Sequence, residues 1–337
     1  MKYFRRIIYL GYYLKKTDWA QFRKFIRFVH TEFKISKATL WVSPFLASVK
    51  YNISLSEYFM FRFWEKKRDE RILWAGTGFM YEYQLMMNPR PHRKTLLDKA
   101  EFLEHNARFV THHWYHVENG DFDSLRWFLE RINGKIVLKN VTGNCGAGVK
   151  VADSSKEKTE DIITLAKTNK LTLAEEYVYQ HTDLMRLSPS GLNTVRIFTQ
   201  IAGEEVIILG ARLRISIHSI VDNLAAGNMA AVIDEKTGVI LLPAVYSDIT
   251  KNPAFFHPVT KVAIVGFQVP MWQEVIEKVK AIALHNKANR SVGWDIAITD
   301  YGVDFIEGNH DWCKLVYQLP AGKGFKKELE KYLYSNG

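Results

Sequence analysis

Cysteine is nearly absent: Cys145 and Cys313 are the only two in 337 residues. Two thiols cannot build a disulfide framework or, by themselves, a four-ligand zinc site, and their scarcity fits a reducing cytosol. Long apolar runs are missing as well, since none approaches the roughly 18 residues of a membrane span. The longest uncharged stretch near the start, ATLWVSPFLASV, is bracketed by Lys37 and Lys50. The opening MKYFRRIIYLGYYLKK carries the charge of a signal peptide. Its apolar stretch is short, however, and Lys15 and Lys16 follow where small residues would mark cleavage, so we read it as retained. There are no internal repeats and no low-complexity segments, and neither a Walker loop nor the dinucleotide-binding glycine pattern occurs.

What is present is a chain 47% hydrophobic, enough for one large or two ordinary domains. The net charge is +10, and +9 of it falls within residues 1–50. There Phe22, Phe25, Ile26 and Val29 recur at helical spacing, with Arg23, Lys24, Arg27 and His30 on the other side. This is either a packed helix with a solvated basic face or a docking surface for an anionic membrane or acidic partner. No recognition motif accompanies the charge, which argues against nucleic acid. Helical pattern continues to about residue 90, including Ser54 and Glu57 at capping-box spacing. NPRPHR is a proline-broken connector, and TLLDKAEFLEHNARF reads as a helix. Helices DSLRWFLERIN and EDIITLAKTNK then alternate with strands KIVLKN, GVKVAD and LTLAEEYVY. Beyond NTVRIFTQIAGEEVIILGARLRIS the strands lengthen, and VPMWQEVIEKVKAIALHNK is one strong helix. The fold class is α+β with a helical N-terminal region.

The last informative segment, WDIAITDYGVDFIEGN at 294–309, alternates with period two and reads as a hairpin. A three-residue loop of Asp300, Tyr301 and Gly302 sets Thr299 against Val303 and Asp295 against Glu307, with Phe305, Glu307 and Asn309 on one alternation. Opposed like charges are destabilising unless something positive lies between them, and a divalent cation is the obvious candidate. A glycosidase carboxylate dyad or a weakly repelling surface pair would share this pattern. Asn309, continuing the face, favours a hard cation such as Mg²⁺.

KNVTGNCGAGVK, from Lys139 to Lys150, sets Gly143, Gly146 and Gly148 between two strands. Bare backbone N–H groups there suit phosphate oxygens, and Lys139 ends the preceding strand. An ordinary turn has the same composition. Cys145 reads as a small loop residue, because no base is near in sequence.

Taken together, Lys99 in DKAEF, Lys139, the glycine loop, AEEYVYQH and the terminal Asp then Glu-x-Asn set resemble the ATP-grasp superfamily. The run from NTVRIFT through ARLRIS, VDNLAAGN, HPVT, GWDIAIT, IEGN and Gln318 resembles its sugar-transfer-associated family over residues 85–320, differing where Asn228 and Lys261 stand in place of glycine. The resemblance implies an ATP-grasp fold, with residues 1–90 a basic helical region, 91–180 a first lobe and 181–330 a second. Lys99, Lys139, Gly143, Gly146 and Gly148 would then contact ATP phosphates. Glu175, Glu176 and Val178 would line the adenine, and Asp183 the ribose. Asp295, Glu307 and Asn309 would hold two Mg²⁺ ions, and Arg196, Arg212 and Arg214 would stabilise the transferred phosphoryl group. Asn223 and His257 would lie on the acceptor side, although His257 before Pro258 also reads as a plain loop residue. The implied activity is a carboxylate–amine ligase working through an acyl phosphate on a carboxylate-bearing sugar or amino acid for cell-surface polysaccharide or capsule. It would be cytoplasmic or peripheral at the inner membrane face, with an anionic membrane or a glycosyltransferase as partner to the basic N-terminus. A sugar kinase in the same cleft and a non-catalytic glycan or membrane adaptor are the competing readings.

Overall fold

The computed structural model describes residues 2–141 and 148–334, with the side chains of 2–4 and 334 left aside. The first 90 residues form six helices: α1 (Lys2–Lys16), α2 (Trp19–Phe33), α3 (Lys37–Tyr51), α4 (Leu55–Met60), α5 (Arg68–Arg71) and α6 (Thr77–Met87). Local chemistry sets their ends. The Asp18 carboxylate accepts from the N–H groups of Ala20 and Gln21 and starts α2, while Lys34, at φ 59°, ends it in the left-handed region. The expected Ser54/Glu57 capping box opens α4. Phe22, Phe25, Ile26 and Val29 are buried, as their spacing requires, against Phe59, Phe61 and Phe63. Glu57 joins this region to the rest of the chain. Besides its cap it accepts from Thr77 Oγ1 at 2.7 Å and pairs with Lys314 Nζ at 3.0 Å.

The expected helix after the proline connector is broken in two, α7 (Lys94–Leu97) and α8 (Lys99–His105). Asp98 is the cause: its extended backbone interrupts the helix, and its side chain caps α8 by accepting from Ala100 and Glu101. Two antiparallel sheets follow. The first takes the order β1-β4-β2-β3 from β1 (Trp114–His116), β2 (Lys135–Lys139), β3 (Lys150–Asp153) and β4 (Leu173–Glu176). It packs on α9 (Leu125–Arg131) and α10 (Thr159–Asn169). A short helix, α11 (Thr182–Leu187), leads into the second sheet.

That sheet takes the order β7-β6-β5-β8-β9, from β5 (Val195–Ala202), β6 (Glu205–Ile215), β7 (Met229–Ile233), β8 (Ser291–Thr299) and β9 (Gly302–Asn309). One face, with Val195, Ile197, Leu213, Ile296 and Phe305, packs on Val275, Val279 and Ile282 of α12 (Trp272–His285). The other face is polar along its middle and covered at one end by Trp312 and Tyr317, the latter in α13 (Lys314–Gln318). The chain closes on α14 (Lys326–Tyr334). Among the described residues no helix is long and apolar enough to cross a membrane.

Asn88, fully buried, ties the start of β8 to the end of β9. Its amide donates to the Ser291 and His310 carbonyls at 2.8 and 2.7 Å, and its oxygen accepts from Ser291 N at 3.0 Å. Replacing it with alanine leaves these backbone groups unsatisfied, so Asn88→Ala should lower unfolding free energy by about 2–4 kcal/mol in urea titration.

Candidate active site

The hairpin places Asp295 opposite Glu307, by a route other than the expected one. Thr299 pairs with Gly302, not Val303, so the loop is two residues, and a bulge between Ile296 and Asp295 absorbs the extra residue Ile306. The two departures cancel for Glu307. They do not cancel for Phe305, which pairs with Ile296 on the apolar face and leaves the alternation expected for it.

Registration across the sheet sets Arg212, Arg196, Asp295 and Glu307 in one row over four strands. The positive partner of Asp295 is arginine. Arg196 grips it with a fork, Nε to Oδ1 and Nη2 to Oδ2, the second at 2.6 Å, and Arg214 Nη1 donates to Oδ2 at 2.7 Å. All three side chains are at most 7% exposed. Gly293 makes room for this grip, because a Cβ there would meet Trp312 at 2.7 Å and the Arg196 stem at 3.3 Å. Burial alone would raise the Asp295 carboxyl, yet the two guanidiniums hold it well below the carboxylate range. Arg214 continues to Asp222 Oδ1 and, at 3.0 Å, to Asn223 Oδ1. Asp222 in turn accepts from Thr194 N and Oγ1 at 2.8 and 2.6 Å. Arg212 faces away from this cluster: it donates to Tyr317 O at 3.1 and 2.6 Å and to Ala211 O, tying down the end of α13, and burial lowers it to about 10.

Glu307 and Asn309 occupy the more open rim. Glu307 keeps 35% of its side chain exposed and lies 3.8 Å from Arg196, and Asn309 Nδ2 donates to it at 3.2 Å. Burial and the neighbouring Asp295 push its carboxyl up. Among the described residues no three His, Cys, Asp or Glu side chains form a ready metal cage. The oxygen donors here suit a hard cation completed by phosphate and water. Asp295 Oδ2 already accepts two N–H groups and Oδ1 one, which leaves Oδ1 as its available donor.

A second buried chain links this sheet to the first. Lys139 Nζ pairs with Glu175 Oε2 at 2.6 Å, Glu175 Oε1 meets His112 Nε2 at 3.2 Å, and His112 Nδ1 meets Asp304 Oδ2 at 2.7 Å. Burial alone would lower His112, but hydrogen bonds to Asp304 and Glu175 raise it to about 9, and Lys139 and His112 bring Glu175 down to about 2. Glu176 accepts from His113, Val178 is half-buried, and Asp183 lies in the first turn of α11, 3.2 Å from Arg186. Beside them, Thr182 N donates to Asp300 at the hairpin tip. Lys99 opens α8, its backbone N–H donating to Val141 O at 3.2 Å, which sets it at the base of the glycine loop. Gly148 has φ 79°, while Gly143, Cys145 and Gly146 lie outside the described residues.

His257, expected on the acceptor side, is buried. Its Nε2 contacts Ser216 O, Nδ1 accepts from Val259 and Thr260, and burial lowers it, so it organises its own loop. Asn228 is buried against Ile217, Val221 and Asn223 backbone groups. Lys261 has φ 62°, the left-handed conformation that explains why glycine was the expected residue. Sequence reasoning missed His112, Asp222 and Asp304. The only hints were the His112–His113 pair, the acid inside VDNLAAGN, and an acid at an even step from the loop.

The raised His112 makes stability depend on pH in a defined direction. Its contribution is complete below the ordinary histidine value of 6.5 and is lost as pH rises through about 9. The unfolding free-energy difference between wild type and His112→Gln should therefore be about 3 kcal/mol larger at about pH 6 than at about pH 10, by urea titration.

The sequence pattern of sugar-transfer associated ATP-grasp proteins matches residues 79–332. No functionally curated protein sequence matches the chain. Solved structures similar in fold include an L-amino acid ligase from Bacillus licheniformis (12% identity, TM-score 0.39, covering 65% of this chain and 41% of that one). Biotin carboxylase from Campylobacter jejuni gives 12%, 0.47, 73% and 48%, and D-alanine-D-alanine ligase from Helicobacter pylori gives 13%, 0.46, 72% and 62%. The chain thus spans between about two fifths and three fifths of these proteins. With three quarters of its length inside one family pattern, this chain belongs to the sugar-transfer associated ATP-grasp family.

Proposed function

We propose that the protein is an ATP-dependent carboxylate–amine ligase that modifies a carboxylate-bearing sugar or amino acid on the way to a cell-surface polysaccharide. The observation that carries the reading is the registered pair Asp295 and Glu307, beside Asn309 and next to two buried arginines, on a sheet joined to Lys139 through Glu175, His112 and Asp304. In this reading ATP lies between the sheets, in a chain divided at about residues 90 and 180. Lys99, Lys139 and the glycine loop hold its phosphates, backbone at Glu176 and Val178 meets adenine, and Asp183 meets the ribose. Glu175 then acts through Lys139, holding the ammonium in place. Glu307, Asn309 and the remaining donor of Asp295 would hold Mg²⁺, which offsets phosphate charge when bound. Arg196 and Arg214 keep a fixed positive field beneath the transferred group without reorganising. Attack of the substrate carboxylate on the γ-phosphorus forms the acyl phosphate and releases ADP; the amine then attacks the acyl carbon and expels phosphate.

Hydroxylamine supplied with ATP, Mg²⁺ and a panel of carboxylate-bearing sugars and amino acids should be trapped as a hydroxamate, with ADP as the nucleotide product. ADP with a stable phosphorylated sugar and no hydroxamate would select a kinase, and AMP would exclude both. Glu307→Gln should lower turnover by about a hundredfold or more while leaving the unfolding midpoint near wild type.

The same reading sets the protein at the inner face of a membrane, held by its basic N-terminus to anionic lipid or to a glycosyltransferase. It is supported by the outward face of α1, where Ile7, Ile8 and Tyr12 are more than half exposed between Arg5 and the pair Lys15 and Lys16. Flotation with acidic vesicles should fall as salt rises, and equal flotation with neutral vesicles would exclude an electrostatic dock.

A further inference from the structure

Away from the proposed nucleotide cleft, the helical region and the C-terminal segment border an open-sided cavity of about 240 Å³ whose wall is dominated by cations. Arg6 of α1, Lys50 of α3, Arg68 and Arg71 of α5 and Lys326 of α14 line it, with buried Trp74 as a wall, and no carboxylate lines it among the described residues. Backbone packing forces some of this convergence. Gly324 lies so close to Leu73 that a Cβ would meet Leu73 O at 2.3 Å, and Lys326 N donates to that oxygen at 2.8 Å, which brings the first turn of α14 to the cavity edge.

Two of the cations have structural partners in view. Arg6 Nη1 donates to the Val49 and Lys50 carbonyls at 3.0 and 2.6 Å and so caps the end of α3, and Lys326 lies 3.6 Å from Glu330. Arg71 differs. Its guanidinium carbon sits 5.8 Å from the Phe63 ring centroid, and its Nε is buried with no hydrogen-bond partner among the described residues. A buried, unsatisfied donor beside like charges is costly, and an anion in the cavity relieves both penalties. The nearest acids on α5 do not do so: Asp69 and Glu70 are exposed, and Glu70 accepts from Lys67 N at 2.9 Å to cap the helix.

We propose that this cavity is an anion site that takes a phosphate-bearing group, supplied either by an acidic lipid headgroup or by free phosphate or diphosphate. Arginine forks match phosphate oxygens in pairs, and Lys50 and Lys326 add point charge. The site is separate from the proposed nucleotide cleft, so its test needs no turnover.

Inorganic pyrophosphate binding is measured by calorimetry, and vesicles of phosphatidylcholine with or without phosphatidylglycerol are followed by flotation. Arg68→Gln with Arg71→Gln should weaken the binding that is seen by about thirtyfold, as expected for two cations near an anionic surface. Pyrophosphate binding that the double variant loses identifies free phosphate as the source. Vesicle binding lost in the variant, without pyrophosphate binding, identifies the lipid. Should the glutamine pair fail to fold, Arg71→Lys keeps the charge without the fork and should weaken binding severalfold. Wild-type affinity in these variants, or no binding of either probe to the unaltered protein, overturns the site.

Discussion

The Asp295 carboxylate, buried between the guanidiniums of Arg196 and Arg214, is the contact around which the second sheet is arranged. Desolvating three charges is expensive, and the arrangement is tolerable only if every remaining donor finds an acceptor. Arg214 therefore requires Asp222, and Asp222 is held by Thr194. That anchors the loop after β6, where Asn228 ties Ile217 to Val221 and Asn223. On the other side the bare Gly293 leaves room for Trp312, 2.7 Å from where a Cβ would stand, and for the Arg196 stem at 3.3 Å. A hydrophobic trio of similar volume would pack as well or better, so stability alone does not account for these charges.

The second network restricts how the two sheets move. The His112–Asp304 contact links groups 192 residues apart in sequence, so separating the sheets would have to break it. With His112 raised to about 9 it is an imidazolium at neutral pH, and opening that contact strands a charge in a buried place. Lys139, the last residue of β2, is held to the same network through Glu175.

What could be read from the sequence follows from which contacts are local. The helical face at Phe22 to Val29, the Ser54/Glu57 box and the alternation of β8 depend on neighbours within a few residues, and all were legible. The Asp295–Glu307 pairing was legible for a reason that was only partly right, because a bulge has no strong signature when the inserted residue is an isoleucine such as Ile306. Asp98 as a cap was visible in principle but lay inside an apolar periodicity that continued past it. Arg212 and Arg214 lie two apart on one strand, as spacing shows, yet the partner of Arg212 is a backbone carbonyl 105 residues away, and no residue type announces that. His112, Asp222 and Asp304 are the same case: a lone polar residue gains meaning only from tertiary neighbours. β1, three residues long, is too short to show a period.

Exposure divides the two opposed carboxylates between different tasks. Asp295, at 4% side-chain exposure, is neutralised by arginine and fixes geometry, whereas Glu307, at 35%, reaches the open rim. The cluster holds two guanidiniums, Arg196 and Arg214, against three carboxyl groups, Asp222, Asp295 and Glu307. If all ionise, one negative charge is in excess; the carboxyls of Asp222 and Glu307 are both pushed up, and Glu307 is the one that reaches the rim. A proton or a metal cation relieves that excess, and the two compete for the same oxygens. The arginines sharpen this competition. With most of Asp295 already saturated by N–H groups, a proton or a cation arriving at the rim meets Glu307 as the least neutralised carboxylate of the cluster.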